Sequence, residues 1–470
     1  MAIADLPFLQ PSDITYLGAF RVPYNRHGDA SQQSPGNSVS HQYGGLAICF
    51  NPSSGGLFIT AQPAEGFAVA EITIPPNPST SSNRLDLPQA TVIQSFRRAD
   101  PPMGRALDIP AFNSTPGAGF ESFTFNSQQA EVAGMIIYGG DMYFSYMAYY
   151  DGGSQQNKSH VRMVGTNLAS GDFDALSLVQ LPSNIVRNGA GADISQANHH
   201  AGHTGLAMAN VPVEWRSELG NKPCITGSNG YAVVARTGSM PSALGFDPTD
   251  LNPSTPASTL LYQHGFPSQG SLLTGQAYLN PGDPAYGTYI NTWHGPPSPN
   301  AWYRATNYDR AFIPIPGTRT VLDWHVGGSR DAWVVYGNGA IIASPQAPHP
   351  LGGQSYTDSV MNVNGIPNGN GYYSVLPGAS TYTQLSGIGS YERTFRLFDA
   401  DDWRKTYNGL QAQDVAKPYA EKTLSHPLGH PNTRMAGGGT IDTVNRRIYV
   451  CDRQGDYTGV SYFPLIHVYE

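Results

Sequence analysis

The sequence predicts an all-β protein built as a β-propeller of five to seven blades, with long loops on one face. Three observations lead there. Period-two alternation of β-branched and aromatic residues recurs along almost the whole chain, bounded by Gly, Pro, Asn and Ser clusters. Long helical periodicity is absent. The strand-like runs also return in a fixed order, as expected of a three- to four-strand unit that cannot bury its faces alone and stacks with copies of itself in a ring.

The units follow one another along the chain. "DITYLGAFRVP" near the N-terminus is a lone strand, expected to complete a blade with C-terminal strands and so close the ring. The first unit runs "YGGLAICFNP", "GLFITA" and "FAVAEITIP", and the second "VAGMIIYGG", "DMYFSYMAYY" and "SHVRMVGTNL". A third reads "HTGLAMANVP", "GYAVVART" and "SALGFDPTDL"; a fourth "RTVLDWHVG", "DAWVVYG" and, after an insertion, "TFRLFDADDW". The last is "GGGTIDTVNRRIYVCD" ending in "PLIHVYE". Short apolar strands such as "SLVQLP", "STLLYQH" and "EKTLSH" sit between units. Residues 265–310 and 338–391 are irregular, and read either as long loop insertions or as divergent blades of one domain spanning 1–470. Two short helices are expected. "PVEWRSELGN" has Pro212 near its start and Gly220 as its stop, and "DADDWRKTYNG" has Asp399 or Asp401 as N-cap and Gly409 as stop. The echo of "GFDPTDL" in "LFDADDW" is the most specific internal repeat.

Composition narrows the function. Charged residues make up 13% of the chain and the formal net charge is -8, with lysine confined to Lys158, Lys222, Lys405, Lys417 and Lys422. Such a surface repels phosphates, so nucleic acid is excluded as a partner. No apolar run approaches the ~20 residues of a membrane helix, and the start "MAIADLPFLQPSDITYLGAF" carries no secretory-signal pattern. The expectation is a protein that stays where it is made or leaves by a route needing no signal, such as viral lysis. Cys49, Cys224 and Cys451 form no CxxC pair, and Cys49 and Cys451 read as small buried hydrophobes.

Four constellations bear on chemistry. "NHHAGHTG" packs His199, His200 and His203 into a loop leading into a strand. Zinc needs three or four converging ligands; His160, His325 and Cys224 would have to supply the rest, and a polar loop at the mouth of the ring is the alternative. Adding Tyr231 and Arg236 gives a base, an acid and a cation, the set required to abstract a proton alpha to a uronic-acid carboxylate. Some polysaccharide lyases are propellers using His, Tyr and Arg, which the chain resembles in architecture and residue types; on that reading His200, Tyr231 and Arg236 are catalytic. "FDADDW" invites calcium, but lacks the EF-hand spacing and glycine, and an acid at a helix start explains it. Aromatics gather in "DMYFSYMAYYDGG" and "YINTWHGPPSPNAWYRATNYDR", where Tyr149, Tyr150, Trp293, Trp302 and Tyr303 offer the flat faces and polar tips that sugars and protein partners favour. His41 in "HQYGG" stands at the same place before its strand as the histidine loop, so His41, His199 and His203 join the ligand-binding set. Nucleophile elbows, Walker loops and HExxH are missing from the sequence. No cofactor is expected, with zinc and calcium as the two alternatives left open.

At "VPVEWRSELGNKPCITGSNGYAVVARTGSMPSALGFDPTDL", "YERTFRLFDADDW" and "GGGTIDTVNRRIYVCDRQGD" the chain resembles an uncharacterised family of propeller-like proteins from bacteria and phages, over about its C-terminal two-thirds. The resemblance implies the fold and a phage or extracellular setting, and assigns no catalytic residues. The resulting expectation is a non-enzymatic binding or structural propeller, virion-associated or extracellular, that contacts a glycan or protein surface and is open to oligomer or virion assembly. The alternative is a polysaccharide lyase acting by β-elimination.

Overall fold

In the computed structural model the described residues are 2–28, 39–61, 68–98, 130–148, 160–169, 173–177, 207–227, 243–250, 259–262, 309–328, 373–374, 383–384, 391–410, 418–424 and 436–470. The N-terminal strand is β1 (Tyr16–Arg21). Blade 1 holds β2 (Ile48–Asn51), β3 (Gly56–Thr60), β4 (Ala68–Ile72) and β5 (Val92–Arg98). Blade 2 holds β6 (Ala130–Tyr138), β7 (Asp141–Ala148), β8 (His160–Met163) and β9 (Phe173–Ser177). In blade 3, β10 (Ala207–Asn210) is followed by helix α1 (Val213–Arg216), then β11 (Cys224–Gly227), β12 (Ala243–Phe246) and β13 (Thr259–Tyr262). Blade 4 begins with β14 (Asp309–Pro314) and β15 (Thr320–Gly328). After the small ladder of β16 (Tyr373–Ser374) and β17 (Thr383–Gln384), it ends with β18 (Tyr391–Asp399), helix α2 (Ala400–Tyr407) and β19 (Ala420–Leu424). Blade 5 holds β20 (Ala436–Asp442), β21 (Arg447–Tyr457) and β22 (Tyr462–Tyr469), with β1 as its fourth strand.

Every blade is antiparallel, and the innermost strands β2, β6, β10, β14 and β20 neighbour one another in that order before β20 returns to β2. This is a five-bladed β-propeller. The ring closes as the sequence leads one to expect: β1 pairs with β22 from Tyr16 opposite Tyr469 to Arg21 opposite Leu465. Its outer edge is not left open, since the chain after β4 returns along it, with Ala19 bridged to Ser79 and Arg21 to Gln89.

Packing between blades explains the strand composition. Each blade is covered on both sides, so its second strand sends alternate residues into two different seams. On β3, Leu57 and Ile59 pack with Tyr449, Cys451 and Ile466 of blade 5, while Phe58 packs with Val132, Met142 and Phe144 of blade 2. On β15, Val321 faces blade 3 with Ile225 and Trp403, and Trp324 faces blade 5 with Val450 and Tyr469. Removing apolar area on both sides of five small sheets is what stabilises strands only four to eleven residues long. The three cysteines are free and buried in these seams, where burial pushes the Cys49 thiol up to about 12.

Some expectations change. The "between" strands are the outermost strands of blades, as β13 and β19 show. The second strand of blade 3 is "CITG" at Cys224–Gly227; "GYAVVART" lies outside the described residues, as does "DAWVVYG". The segments 265–310 and 338–391 lie almost wholly outside the described residues. The described sheets make five blades, the lower bound of the predicted range.

The first helix begins after Pro212 as expected but ends at Ser217, short of Gly220, whereas the second forms where its caps stand. Asp399 Oδ1 accepts from the Asp401 amide at 2.8 Å, and Gly409 ends α2 with φ +68°. The echo "FDPTDL" repeats the device, as Asp247 Oδ1 accepts from the Thr249 amide at 2.9 Å after the third strand of its own blade. Asp399 also holds Arg319, whose Nε lies 2.8 Å from Oδ1 and whose Nη2 reaches Oδ2. Asp399→Ala removes cap and ion pair together and is expected to cost about 1–2 kcal/mol, read as a lowered urea midpoint.

Candidate functional site

An antiparallel four-stranded blade sends its connections to alternate ends. The links from first to second and third to fourth strand leave one end; those from second to third strand, and on to the next blade, leave the other. The first set includes the short turns 52–55, 139–140, 315–319 and 443–446, together with α1 and α2. The second set contains all the longest connections, and its end of the ring is the loop face.

Every residue of the lyase and ligand-binding sets belongs to that second set. His41 lies between β1 and β2; Tyr149 and Tyr150 between β7 and β8; His199, His200 and His203 between β9 and β10; Tyr231 and Arg236 between β11 and β12; Trp293, Trp302 and Tyr303 between β13 and β14. All except His41 lie outside the described residues. The strand ends that flank the lyase set are neighbours nonetheless: Ala207, which follows the histidine loop, is paired with Gly227, which precedes Tyr231, and Leu244 is paired with Thr226.

The described part of the loop face is the seam between blades 5 and 1. His41 is fully buried there and lies beneath the face. Its Nε2 is 3.2 Å from Nε2 of His27, and both rings pack on Phe96 with centroids 4.5 Å away. The tautomers follow from one donor. The Phe96 amide donates to His27 Nδ1 at 3.3 Å, so His27 carries its proton on Nε2 and donates it to His41, which must then carry its own on Nδ1. That last N–H is buried without a partner. Burial holds both imidazoles below the usual histidine range, and for His41 the neighbouring His27 adds to the effect. A metal-bound imidazole would need its far nitrogen to donate outward; His27 accepts there, so this pair is not set up as two zinc ligands.

Above the pair, the chain is stitched to the hairpin of blade 5. Tyr43 donates its amide to the Tyr462 carbonyl at 3.0 Å, the buried Arg453 donates from Nη2 to the Tyr43 carbonyl at 3.0 Å, and Gln42 donates to Ser461 Oγ at 2.5 Å. Tyr43 is held at φ 56°, an uncommon conformation for a bulky residue. The result is an aromatic ridge: the Tyr457 and Tyr462 rings are 4.6 Å apart, those of Tyr43 and Tyr462 5.9 Å, and Tyr457 is 39% exposed beside Val460 at 88%. Sequence reasoning missed this ridge and His27. The aromatic signal in "GDYTGVSYF" was present, but only ring closure brings it to Tyr43.

The other metal readings can be placed in part. His160 is buried at the seam between blades 2 and 3, its Nε2 3.0 Å from Thr226 Oγ1, and burial lowers it to about 3. Cys224 sits two residues before Thr226, its thiol 3.5 Å from Asn210 Oδ1 and pushed up by burial; the side chain of His325 lies outside the described residues. In the acid run, Asp401 faces Arg404 at 2.6 Å and Lys405 at 3.0 Å, and Asp399 faces Arg319. Among the described residues no three His, Cys, Asp or Glu side chains converge as a metal site.

No family model matches the chain, and no curated protein matches it. Among solved structures, a protein of Thermus thermophilus named as a candidate oxidoreductase (glucose dehydrogenase) is 11% identical, with 97% of this chain and 99% of that one covered and a TM-score of 0.31. A member of the DUF4221 family from Bacteroides vulgatus is 9% identical, with 99% and 95% covered and a TM-score of 0.30. Values this low carry no chemistry from one chain to the other.

Proposed function

We propose that this chain is a non-enzymatic binding propeller, virion-associated or extracellular, whose loop face takes a glycan. The observation that carries the reading is the ridge of Tyr43, Tyr457 and Tyr462 on the face where all the long, aromatic-rich connections emerge. Tyrosine presents an apolar ring and a hydroxyl with little side-chain entropy to lose, which suits the apolar faces and hydroxyls of a sugar. A surface poor in charge leaves such contacts unopposed by strongly hydrated lysines. No helix among the described residues is long and apolar enough to cross a membrane.

The neighbouring strand ends that flank His200, Tyr231 and Arg236 support the second reading, a lyase cutting uronic-acid polymers. One experiment addresses both. The purified chain is passed over immobilised neutral and uronic glycans, and the uronic polymers are followed in the ultraviolet for an unsaturated product. Retention of a glycan is expected, weakened about tenfold in Tyr457→Ala, the effect of losing ~1.4 kcal/mol of contact. Unsaturated product that disappears in His200→Ala and Tyr231→Phe would transfer the assignment to the lyase; no retention and no product, or retention only on a protein surface, would end the glycan reading.

A further inference from the structure

We propose that the face opposite the loop face carries a second, independent site, a cavity between blades 4 and 5 that binds a small aliphatic zwitterion of the amino-acid type. The cavity measures about 130 Å³. Its floor is aliphatic: Ile14 from the N-terminal segment, Ile315 from the β14–β15 turn, and Ile441 and Ile448 from either side of the β20–β21 turn. Closely similar volumes, about 150 Å³, admit a benzene-sized guest, so a branched four-carbon side chain fits the space.

Three charges stand at its mouth, each from a different part of the chain. Asp13, Arg446 and Glu470 all line the cavity and are exposed. Among the described residues none is joined to another charge in an ion pair: Asp13 accepts from the Gln10 amide at 2.8 Å and from the Ser12 hydroxyl, while neither Arg446 nor Glu470 has a side-chain partner. Two carboxylates and one guanidinium over an aliphatic floor match a ligand with an ammonium, a carboxylate and an apolar tail. A simple amine would leave Arg446 unmatched and repelled. A simple carboxylate would meet two like charges.

Arg446 supplies an observation independent of the cavity. It sits at φ 55°, in the last position of the turn 443–446, where glycine or asparagine is the unstrained choice. The turn does not need arginine for its own sake. Buried Asp442 fixes it by accepting from the Val444 and Asn445 amides at 3.0 and 3.1 Å and from Asn445 Nδ2 at 2.7 Å. A strained cation beside an apolar cavity is what a carboxylate-binding residue looks like.

The test is calorimetric titration and thermal shift of the intact protein with L-leucine, alongside isoamylamine and 4-methylvalerate, which lack the carboxylate and the ammonium respectively. Saturable leucine binding with a raised Tm is expected, at least tenfold tighter than either fragment. Arg446→Gly is expected to raise the urea midpoint, because glycine adopts φ 55° without strain, and to lose leucine binding at the same time. Absence of saturable leucine binding, equal affinity for isoamylamine, or unchanged binding in Arg446→Gly would each overturn the site. Glycan retention on the other face is expected to be untouched by this variant, so the two proposals fail separately.

Discussion

Gly437→Ala and Gly438→Ala are each expected to keep the ring from closing. Both glycines belong to β20, the innermost strand of blade 5, where it meets the approach to β2 in blade 1, and the Gly438 amide donates to the Gly45 carbonyl at 3.1 Å. A methyl group on Gly437 would overlap the Gly45 carbonyl oxygen and come within 2.9 Å of the Cys451 side chain. On Gly438 it would overlap the Ile48 amide nitrogen and stand 2.9 Å from Ala47 backbone atoms. The obstacles are mostly backbone, which cannot swing aside as a flexible side chain would. Blade 1 would have to move outward, opening the seam of Leu57, Ile59, Tyr449 and Ile466 that closure creates. Overpacking commonly costs about 1–3 kcal/mol, and a clash of backbone against backbone at the closing seam belongs at or above the top of that range. Gly139→Ala is the control. It has open space around it and only its φ of 62° to resist the change, so about 1 kcal/mol is expected. Urea unfolding and near-ultraviolet circular dichroism read all three; wild-type midpoints for Gly437→Ala and Gly438→Ala would mean the blades do not approach so closely.

These glycines illustrate how legible the chain is. "GGG" before "TIDTVNRRIYVCD" announces a strand start, but the reason for Gly437 and Gly438 is the distant Gly45–Ile48 backbone, which no local pattern encodes. The ring itself was readable because each blade repeats the same order of turns and apolar runs, and the Asp caps of "FDPTDL" and "LFDADDW" repeat down to the hydrogen bond. "CITG" escaped notice because a strand buried on both sides shows no alternation, and four residues after Pro223 offer little else. Outer strands such as β19 misled in the opposite way: half-exposed and alternating, they read as separators between units. For the site, sequence position located the candidate loops, and topology gathered their strand ends on one face. The contacts of the described face join residues hundreds of positions apart, Tyr43 to Tyr462 and Arg453, and the lower cavity draws on several distant segments. Such juxtapositions come from closure alone.

Acidification is expected to unfold this protein through its buried histidines. His41 and His160 are both fully buried, and burial lowers both, His160 to about 3 from an ordinary 6.5. A histidine whose folded value is depressed binds fewer protons in the native than in the unfolded state across that interval, so stability is fully present above about pH 6.5 and is lost as the pH falls towards the folded value. At about pH 5 the loss is about 2 kcal/mol for His160, a sizeable part of the stability of an ordinary domain, and His41 adds to it in the same direction. The geometry explains why the rings resist charging. Among the described residues His41 is influenced by burial and by His27, and both rings pack on Phe96. A proton added to His27 Nδ1 would confront the Phe96 N–H, and one added to His41 Nε2 would confront the His27 N–H, so either breaks a link of the relay. At His160, Nε2 stands 3.0 Å from the neutral hydroxyl of Thr226. Urea midpoints measured from about pH 8 to pH 4.5 should therefore fall steeply below about pH 6.5. His160→Gln keeps a neutral partner for Thr226 but cannot titrate, and it should flatten that fall, whatever it does to stability at neutral pH. A midpoint independent of pH over this range, or a slope unchanged in His160→Gln, would mean that these imidazoles are not held neutral by burial.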